Sequence, residues 1–316
     1  MKRIFFSVDA HGSTTVWRKW LKVQARHDID VMLLCGDLTG KALVPIIAQR
    51  DGSYRAYYFG RDWELETERE VREMERRLTS AGIYHMRCTM AEVEELQRNP
   101  AKVNELILCK MKERLTEWLD CLLEEVDTQQ VSVIVMPGND DDFEIDPIIK
   151  SYEEAGIIYP LGRVVEIAGF EMISLDYVNP TPWDTPREAS EREMKRKIEA
   201  LVGQLRDPSR AIFNFHCPPY GTRLDLAPKL DRSLRPEVVA GTVIYDHVGS
   251  RAVREAIERY QPLIGLHGHI HESYGAERLG KTPIINPGSE YGEGILRGFI
   301  IEVSERGVED YLKVEG

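Results

Sequence analysis

Apolar residues recur along this chain in two periods, and the switches between them predict its elements. Ile4–Val8 and Val31–Cys35 are short unbroken apolar runs, the pattern of strands buried on both faces. Between them a helix is predicted from about Ser13, with Val16, Trp20 and Val23 at helical spacing. Strand, helix and strand so close together predict a βαβ unit. Val131–Met136 returns to the strand pattern and stops at the turn signal Pro137-Gly138. Val164–Ala168 and Glu171–Asp176 read as antiparallel strands joined at Gly169. Ser190-x-x-Glu193 opens a helix that turns Met194, Ile198, Leu201 and Leu205 inward. Ala211–Phe215 is a strand ending at His216. A helix runs from Gly249-Ser250 to Tyr260, and Pro262–Leu266 is a strand leading into HGHIH. Ile284–Asn286, Gly298–Val303 and Glu309–Val314 complete the strands.

The stretch from about 50 to 128 differs. Tyr54–Trp63 has the pattern of an aromatic hairpin. Glu64–Ala81 is a charged helix with Val71, Met74 and Leu78 on one face. Thr89-x-x-Glu92 is a capping box, and Pro100 fits the first turn of a long helix. The apolar positions of that helix, from Val103 to Val126, recur every three or four residues. The block reads as a helical insertion between two strands of the core sheet, within one domain spanning residues 1–316. It is either a cap over a site or a layer for packing or self-association.

Composition narrows the class. Hydrophobic residues make up 42% and charged residues 30%, as in a globular protein. A formal net charge of −12 argues against wrapping nucleic acid by bulk charge and suits an enzyme that gathers carboxylates around metal. The run after Met1 is short and broken by Asp9, unlike a signal peptide, and no stretch predicts a membrane span. Five cysteines without paired spacing read as reduced thiols, so a cytoplasmic location is expected.

Five strand ends carry the same kind of polar cargo: Asp9-Ala-His11, Gly36-Asp37, Gly138-Asn139-Asp140, His216 and His267-Gly-His269-Ile-His271. In an open α/β sheet the ligand site lies beyond the carboxyl ends of the strands, so these distant residues are expected to converge. Carboxylates, an amide oxygen and imidazoles form a mixed donor set. It suits divalent Mn, Fe, Zn, Ni or Co, and not a thiolate zinc site.

Taken together, D-x-H, G-D, G-N-D-D, a lone His and G-H-x-H resemble the ordered signature of the calcineurin-like metallophosphoesterase superfamily. The likeness covers Ile4 to about Gly298 apart from the insertion. It implies an α/β fold, a four-layer α/β/β/α sandwich of two mixed sheets. It also implies a binuclear metal centre. Asp9, His11 and His271 would hold the first ion, Asn139, His216 and His269 the second, and Asp37 would bridge both. The activity implied is phosphoester hydrolysis, with a metal-bridging hydroxide attacking phosphorus in line. The implied partner is a small phosphoester substrate, with no membrane and no bulk nucleic acid.

One position departs from the signature. Where relatives carry His after the Asn, this chain has Asp140, and an aspartate beside two dications is held as the anion. Asp140 then orients a water or a neighbouring histidine, or His267 or His85 supplies the proton, or the leaving group needs little help. The last reading favours phosphodiesters over alkyl monoesters. Ser289 and Arg297, near NPGSEYGEG, are placed to touch phosphate or merely to close a turn. Asp142 reads as a solvated turn residue, and His27 and His247 as structural. Two other classes stay open. A scaffold that binds protein or metal without catalysis would fit the lost histidine, and a nuclease would fit the fold. The metals, the substrate and the oligomeric state, a homo-oligomer included, do not follow from the sequence.

Overall fold

The computed structural model describes residues 1–316. Its backbone is mixed α/β, organised around two six-stranded mixed sheets. In the first, Lys2–Ser7, Val31–Cys35, Ser132–Met136 and Ile157–Ile158 run parallel, in that spatial order. Arg297–Ser304 adds antiparallel beside Lys2–Ser7, and Gly307–Glu315 completes that edge. In the second, Phe170–Leu175, Ile212–Phe215, Ile264–Leu266 and Thr282–Asn286 run parallel. Val165–Ile167 and Gly275–Leu279 pair antiparallel at its two edges.

The unbroken apolar runs arise because both faces of each sheet are covered. Successive strand residues point to opposite faces. Ile4, Phe6, Leu33 and Ile134 therefore join Met172, Ile212, Ile264 and Ile285 of the other sheet in one buried cluster. Phe5, Met32, Leu34 and Val133 point the other way, into a cluster with Trp17, Trp20, Leu115 and Trp118. There the Trp17 ring stacks on Trp20 at 5.2 Å and on Trp118 at 4.8 Å. On the far side of the second sheet, Ile173, Phe213 and Phe215 pack with Met194 and Ile198 of helix Glu191–Val202 and with Val253 and Ile257 of helix Arg251–Tyr260.

The helices begin where side chains satisfy their free N–H groups. Asn99 caps helix Pro100–Glu125, and Thr89 and Ser190 complete capping boxes with Glu92 and Glu193.

The block between Cys35 and Ser132 contains more strand than the hydrophobic pattern predicts. A four-stranded sheet runs in the order Arg61–Leu65, Tyr54–Tyr58, Leu43–Ala48, Tyr84–Cys88. Helix Glu68–Ser80 lies on one face, with Val71, Met74 and Leu78 packed on Ile46, Ala56 and Leu65. The expected hairpin at Tyr54–Trp63 is its outer half. The inner strands escape notice because Leu43–Ala48 contains a proline and Tyr84–Cys88 is a polar, uneven run. Tertiary pairing overrides such weak local preferences. This sheet meets the core where the turn at Ser80–Gly82 packs on His11–Ser13; Ser13 Oγ donates to the Ser80 carbonyl.

Candidate metal centre

All five polar motifs lie just past the carboxyl ends of parallel strands: those ending at Ser7, Cys35 and Met136 in one sheet, and at Phe215 and Leu266 in the other. The strand into HGHIH stops at Leu266, so His269 and His271 lie on a loop and both face one site. The loops are tightly wound. Asp9, His11, Asp37 and His269 have φ of 54°, 42°, 39° and 67°. Residues other than glycine adopt that region at a cost of about 1–3 kcal/mol each, and such strain clusters at functional sites. Two glycines are required by close approach. A Cβ on Gly36 would lie 2.1 Å from His216 Nδ1, and one on Gly138 would lie 2.3 Å from the Asp37 backbone nitrogen.

The seven candidate ligands converge. The donor atoms of Asp9, His11, Asp37 and His271 all lie within 4.8 Å of one another, as do those of Asp37, His216 and His269. Asp37 belongs to both groups. Its Oδ2 is 3.6 Å from His11 Nε2 and 3.5 Å from His216 Nε2. Asn139 Oδ1 sits 3.0 Å from His216 Nε2. The amide is oriented by its other end, because Asn139 Nδ2 donates to Thr185 Oγ1 at 3.0 Å. His11 Nε2 and His271 Nε2 face each other at 3.1 Å, so both ring nitrogens point into the same space. Asp9 Oδ1 and His216 Nδ1 are buried without any hydrogen-bond partner.

Burial controls the charges here. It pushes the Asp9 carboxyl up to about 8, against the pull of His216 and with help from Asp37 and Asp140. It pushes His11 and His269 down to about 3 and lowers His271 as well, leaving three neutral imidazoles with lone pairs free for a cation. His216 is the exception. Burial works against its charge, but Asp37 and Asp9 more than offset this and lift it to about 9. In the same way His216, His11 and His269 overcome burial and hold Asp37 below the usual carboxylate range. Asp37 and His216 thus hold opposite charges against each other in the middle of the site.

A supporting shell holds these loops in place, built from Asp141 of the G-N-D-D motif and from residues that lie outside every motif. Buried Asp141 accepts from Leu38 N, Thr39 N, Thr39 Oγ1 and Gly138 N at 2.6–2.9 Å, locking the Asp37 loop to the Asn139 loop. Arg187 is fully buried. It pairs with Asp176 at 2.7 Å and Asp146 at 2.6 Å, and it also donates to the carbonyls of Asp141 and Asp142. Only an arginine fork reaches that many acceptors, and a lone Arg in a loop gives no periodic signal. The Tyr291 ring lies 4.6 Å from His11 and 5.8 Å from His271.

The remaining candidates fall outside the cluster or at its rim. Asp140 stands at the rim, its carboxylate paired with Lys41 Nζ and its Oδ2 3.9 Å from His11 Nδ1. Burial and Asp37 push it up to about 6, with Lys41 pulling it back. His267 lies behind the cluster, with Nδ1 on the carbonyls of Phe215 at 2.8 Å and Cys217 at 3.1 Å. His85 lines a cavity of about 820 Å³ between helices Thr14–Leu21 and Glu68–Ser80, bonded to Thr79. Ser289 Oγ donates to the Asp9 carbonyl, and Arg297 pairs with Glu290. Asp142 caps the short helix Phe143–Ile145. His247 pairs with Asp225 at 2.7 Å.

No protein-family model matches the chain. An uncharacterized protein, MJ1162 of Methanocaldococcus jannaschii, is 29% identical over 159 residues, which is 50% of this chain and 64% of that protein. The match thus spans less than two thirds of that relative. One crystal structure superposes with a TM-score of 0.56 at 18% identity, covering 99% of this chain and 98% of its own. A crystal structure of TT1561 of Thermus thermophilus does so with a TM-score of 0.52 at 14% identity, with the same coverage. At these identities the likeness is one of fold. A structure described as a novel archaeal phosphodiesterase reaches only 0.41 at 12% identity, too distant to bear on this chain. No helix is long and apolar enough to cross a membrane.

Proposed function

We propose that this chain is a binuclear, metal-dependent phosphoester hydrolase of the calcineurin-like metallophosphoesterase superfamily, acting chiefly on phosphodiesters. The observation that carries the reading is Asp37, whose carboxylate belongs to both groups of converging donor atoms. We read the three apolar clusters as the three interfaces between the layers of a four-layer α/β/β/α sandwich. The chain would be a single domain with an inserted sheet-and-helix unit.

The residues fit a pair of divalent ions. Asp9, His11 and His271 would hold one, Asn139, His216 and His269 the other, and Asp37 both. Oxygen and imidazole donors without thiolate suit Mn, Fe, Zn, Ni or Co. A cation there would also satisfy the partnerless Asp9 Oδ1. When bound, such ions supply Lewis-acid activation of water and of phosphoryl oxygens.

The chain's own residues do the rest. Asp141 and Thr185 hold the Asp37 and Asn139 loops in register, so the donors are preorganised. Lys41 neutralises Asp140 at the rim, which lowers that carboxylate's repulsion of an incoming phosphate anion. No imidazole stands after Asn139 to protonate a poor leaving group. Diesters and esters of acidic alcohols therefore suit the site better than alkyl monoesters.

The test is metal analysis of manganese-loaded protein together with hydrolysis of bis-nitrophenyl phosphate. Two ions per chain and manganese-dependent turnover, faster than on alkyl monoesters, are expected. Neither bound metal nor turnover would favour a scaffold, and salt-sensitive DNA binding with cleavage would favour a nuclease.

A further inference from the structure

Helix Glu68–Ser80 of the inserted unit faces helix Thr14–Leu21 of the core across the cavity of about 820 Å³ that His85 lines. No hydrophobic side chain lines this cleft. Its walls carry four arginines, Arg18 from the core helix and Arg69, Arg72 and Arg76 from the inserted one, against two carboxylates, Glu68 and Glu75. Both carboxylates are already engaged. Arg87 pairs with Glu68 at 2.8 Å and with Glu75 at 2.6 Å, and Arg72 shares Glu68 at 3.0 Å. Arg18, Arg69 and Arg76 form no ion pair with a carboxylate, and Arg76 Nε donates only to the Arg72 carbonyl.

That imbalance runs against the composition. The chain has 53 acidic residues and 41 Lys and Arg, so carboxylate partners for surface cations are in excess. Arg69, Arg72 and Arg76 fall three and four residues apart, on one helix face, where like charges repel. A merely solvated helix face would be convex and built from one segment. Here the charges line a concave space together with Arg18 from a distant part of the chain. Concave sites of roughly 300–1,000 Å³ suit small ligands. Thr15 and Ser80 add hydroxyls able to donate to an anion.

We infer that this cleft is a binding site for a small anion carrying two or more phosphate groups, separate from the metal centre. Guanidinium forks hold phosphate oxygens in pairs. From Arg69 to Arg76 the helix advances about 10 Å, so a single phosphate reaches only part of the cationic wall. None of the seven candidate metal ligands lines the cleft, and a ligand there leaves the metal centre open. Its contacts come from both helices, so it ties the inserted unit to the core. The floor is the junction of the two: the Ser80 carbonyl accepts from Ser13 Oγ at 2.5 Å, and Ser13 follows His11 by two residues. The inference stands independently of the hydrolase reading.

Calorimetric titration of the full-length protein with sodium triphosphate tests this at physiological salt, in chelator so that no metal retains the probe. Saturable one-to-one binding is expected. Arg18→Gln combined with Arg76→Gln should weaken it on the order of tenfold, the scale of one lost charge-assisted contact. Both side chains are exposed, so the unliganded variant should melt with the parent. Arg69→Gln alone, away from the junction, should also weaken binding. A charge-matched control, Arg192→Gln with Arg232→Gln, removes two exposed cations that do not line the cleft and should bind as the parent does. No saturable binding by the parent, unchanged affinity in the cleft variants, or an equal loss in the control would each overturn the inference. So would a polyglutamate peptide that binds more tightly than triphosphate and is lost with the cleft variants, since the cleft would then be a contact for an acidic protein.

Discussion

The backbone N–H of Asp140 donates to Oδ1 of Asp37 at 2.8 Å. Asp140 therefore holds the shared carboxylate with its main chain, not its side chain. Its side chain is free to differ without loosening that grip. Asp140→His should keep two metals per chain and raise the rate on alkyl monoesters relative to bis-nitrophenyl phosphate, by up to ~10²-fold if the new imidazole acts as a general acid. Comparing kcat for the two substrates checks this, and an unchanged ratio would count against a role for this position in leaving-group departure.

The shared carboxylate also predicts an asymmetry in metal content. Asp37→Asn removes a donor common to both groups, whereas His271→Ala removes one donor from a single group. Elemental analysis after dialysis should find close to no metal in the first variant and about one ion in the second, as two-ion sharing requires. Equal losses in the two would mean that Asp37 does not bridge.

Proton linkage sets a pH signature for the metal-free protein. Asp9 is pushed up to about 8 by burial, and Asp37 lifts His216 to about 9 against burial, from ordinary values of 3.8 and 6.5. A raised pKa stabilises the fold fully below the unfolded value, and that stability is lost as pH rises through the folded value. His11, His269 and His267 are depressed and stay neutral in both states above pH 7, and Asp37 is ionised in both, so none of these adds slope there. The melting temperature in chelator should fall between pH 7 and pH 9. With manganese bound, Asp9 and His216 as the proposed ligands would already be deprotonated, and the fall should flatten. A chelated protein with a flat profile would show that these two groups do not hold protons in the fold.

Arg187 anchors the Asn139 loop through Asp176, Asp146 and two carbonyls. Arg187→Met strands two carboxylates, one of them buried, without their cation. Removing one partner of a buried pair costs about 3–5 kcal/mol, and urea unfolding of the metal-free variant should show a loss on that scale. A loss under ~1 kcal/mol would place this network among exposed pairs, which contribute little.

The chain's own order of residues determined ten of the twelve strands of the two main sheets, all but Ile157–Ile158 and Gly275–Leu279, together with the helices opened by capping boxes at Thr89 and Ser190 and the seven polar residues that converge. This was possible because buried strands must be apolar throughout, helix starts need specific caps, and ligand side chains must follow strand ends. Asp9, His11, Asp37, Asn139, His216, His269 and His271 all stood out on those grounds. Tertiary structure alone decided the rest. The strands Leu43–Ala48 and Tyr84–Cys88 form because neighbours pair with them, not because their residues demand it. Asp141 stood inside the G-N-D-D motif with no role assigned to it. It is buried because Leu38, Thr39 and Gly138 turn four donors toward it. Lys41, Tyr291 and Arg187 carried no motif, and their places depend on contacts between segments far apart in the chain. Local sequence encodes the period and the cap; it holds no record of which distant loop will arrive opposite.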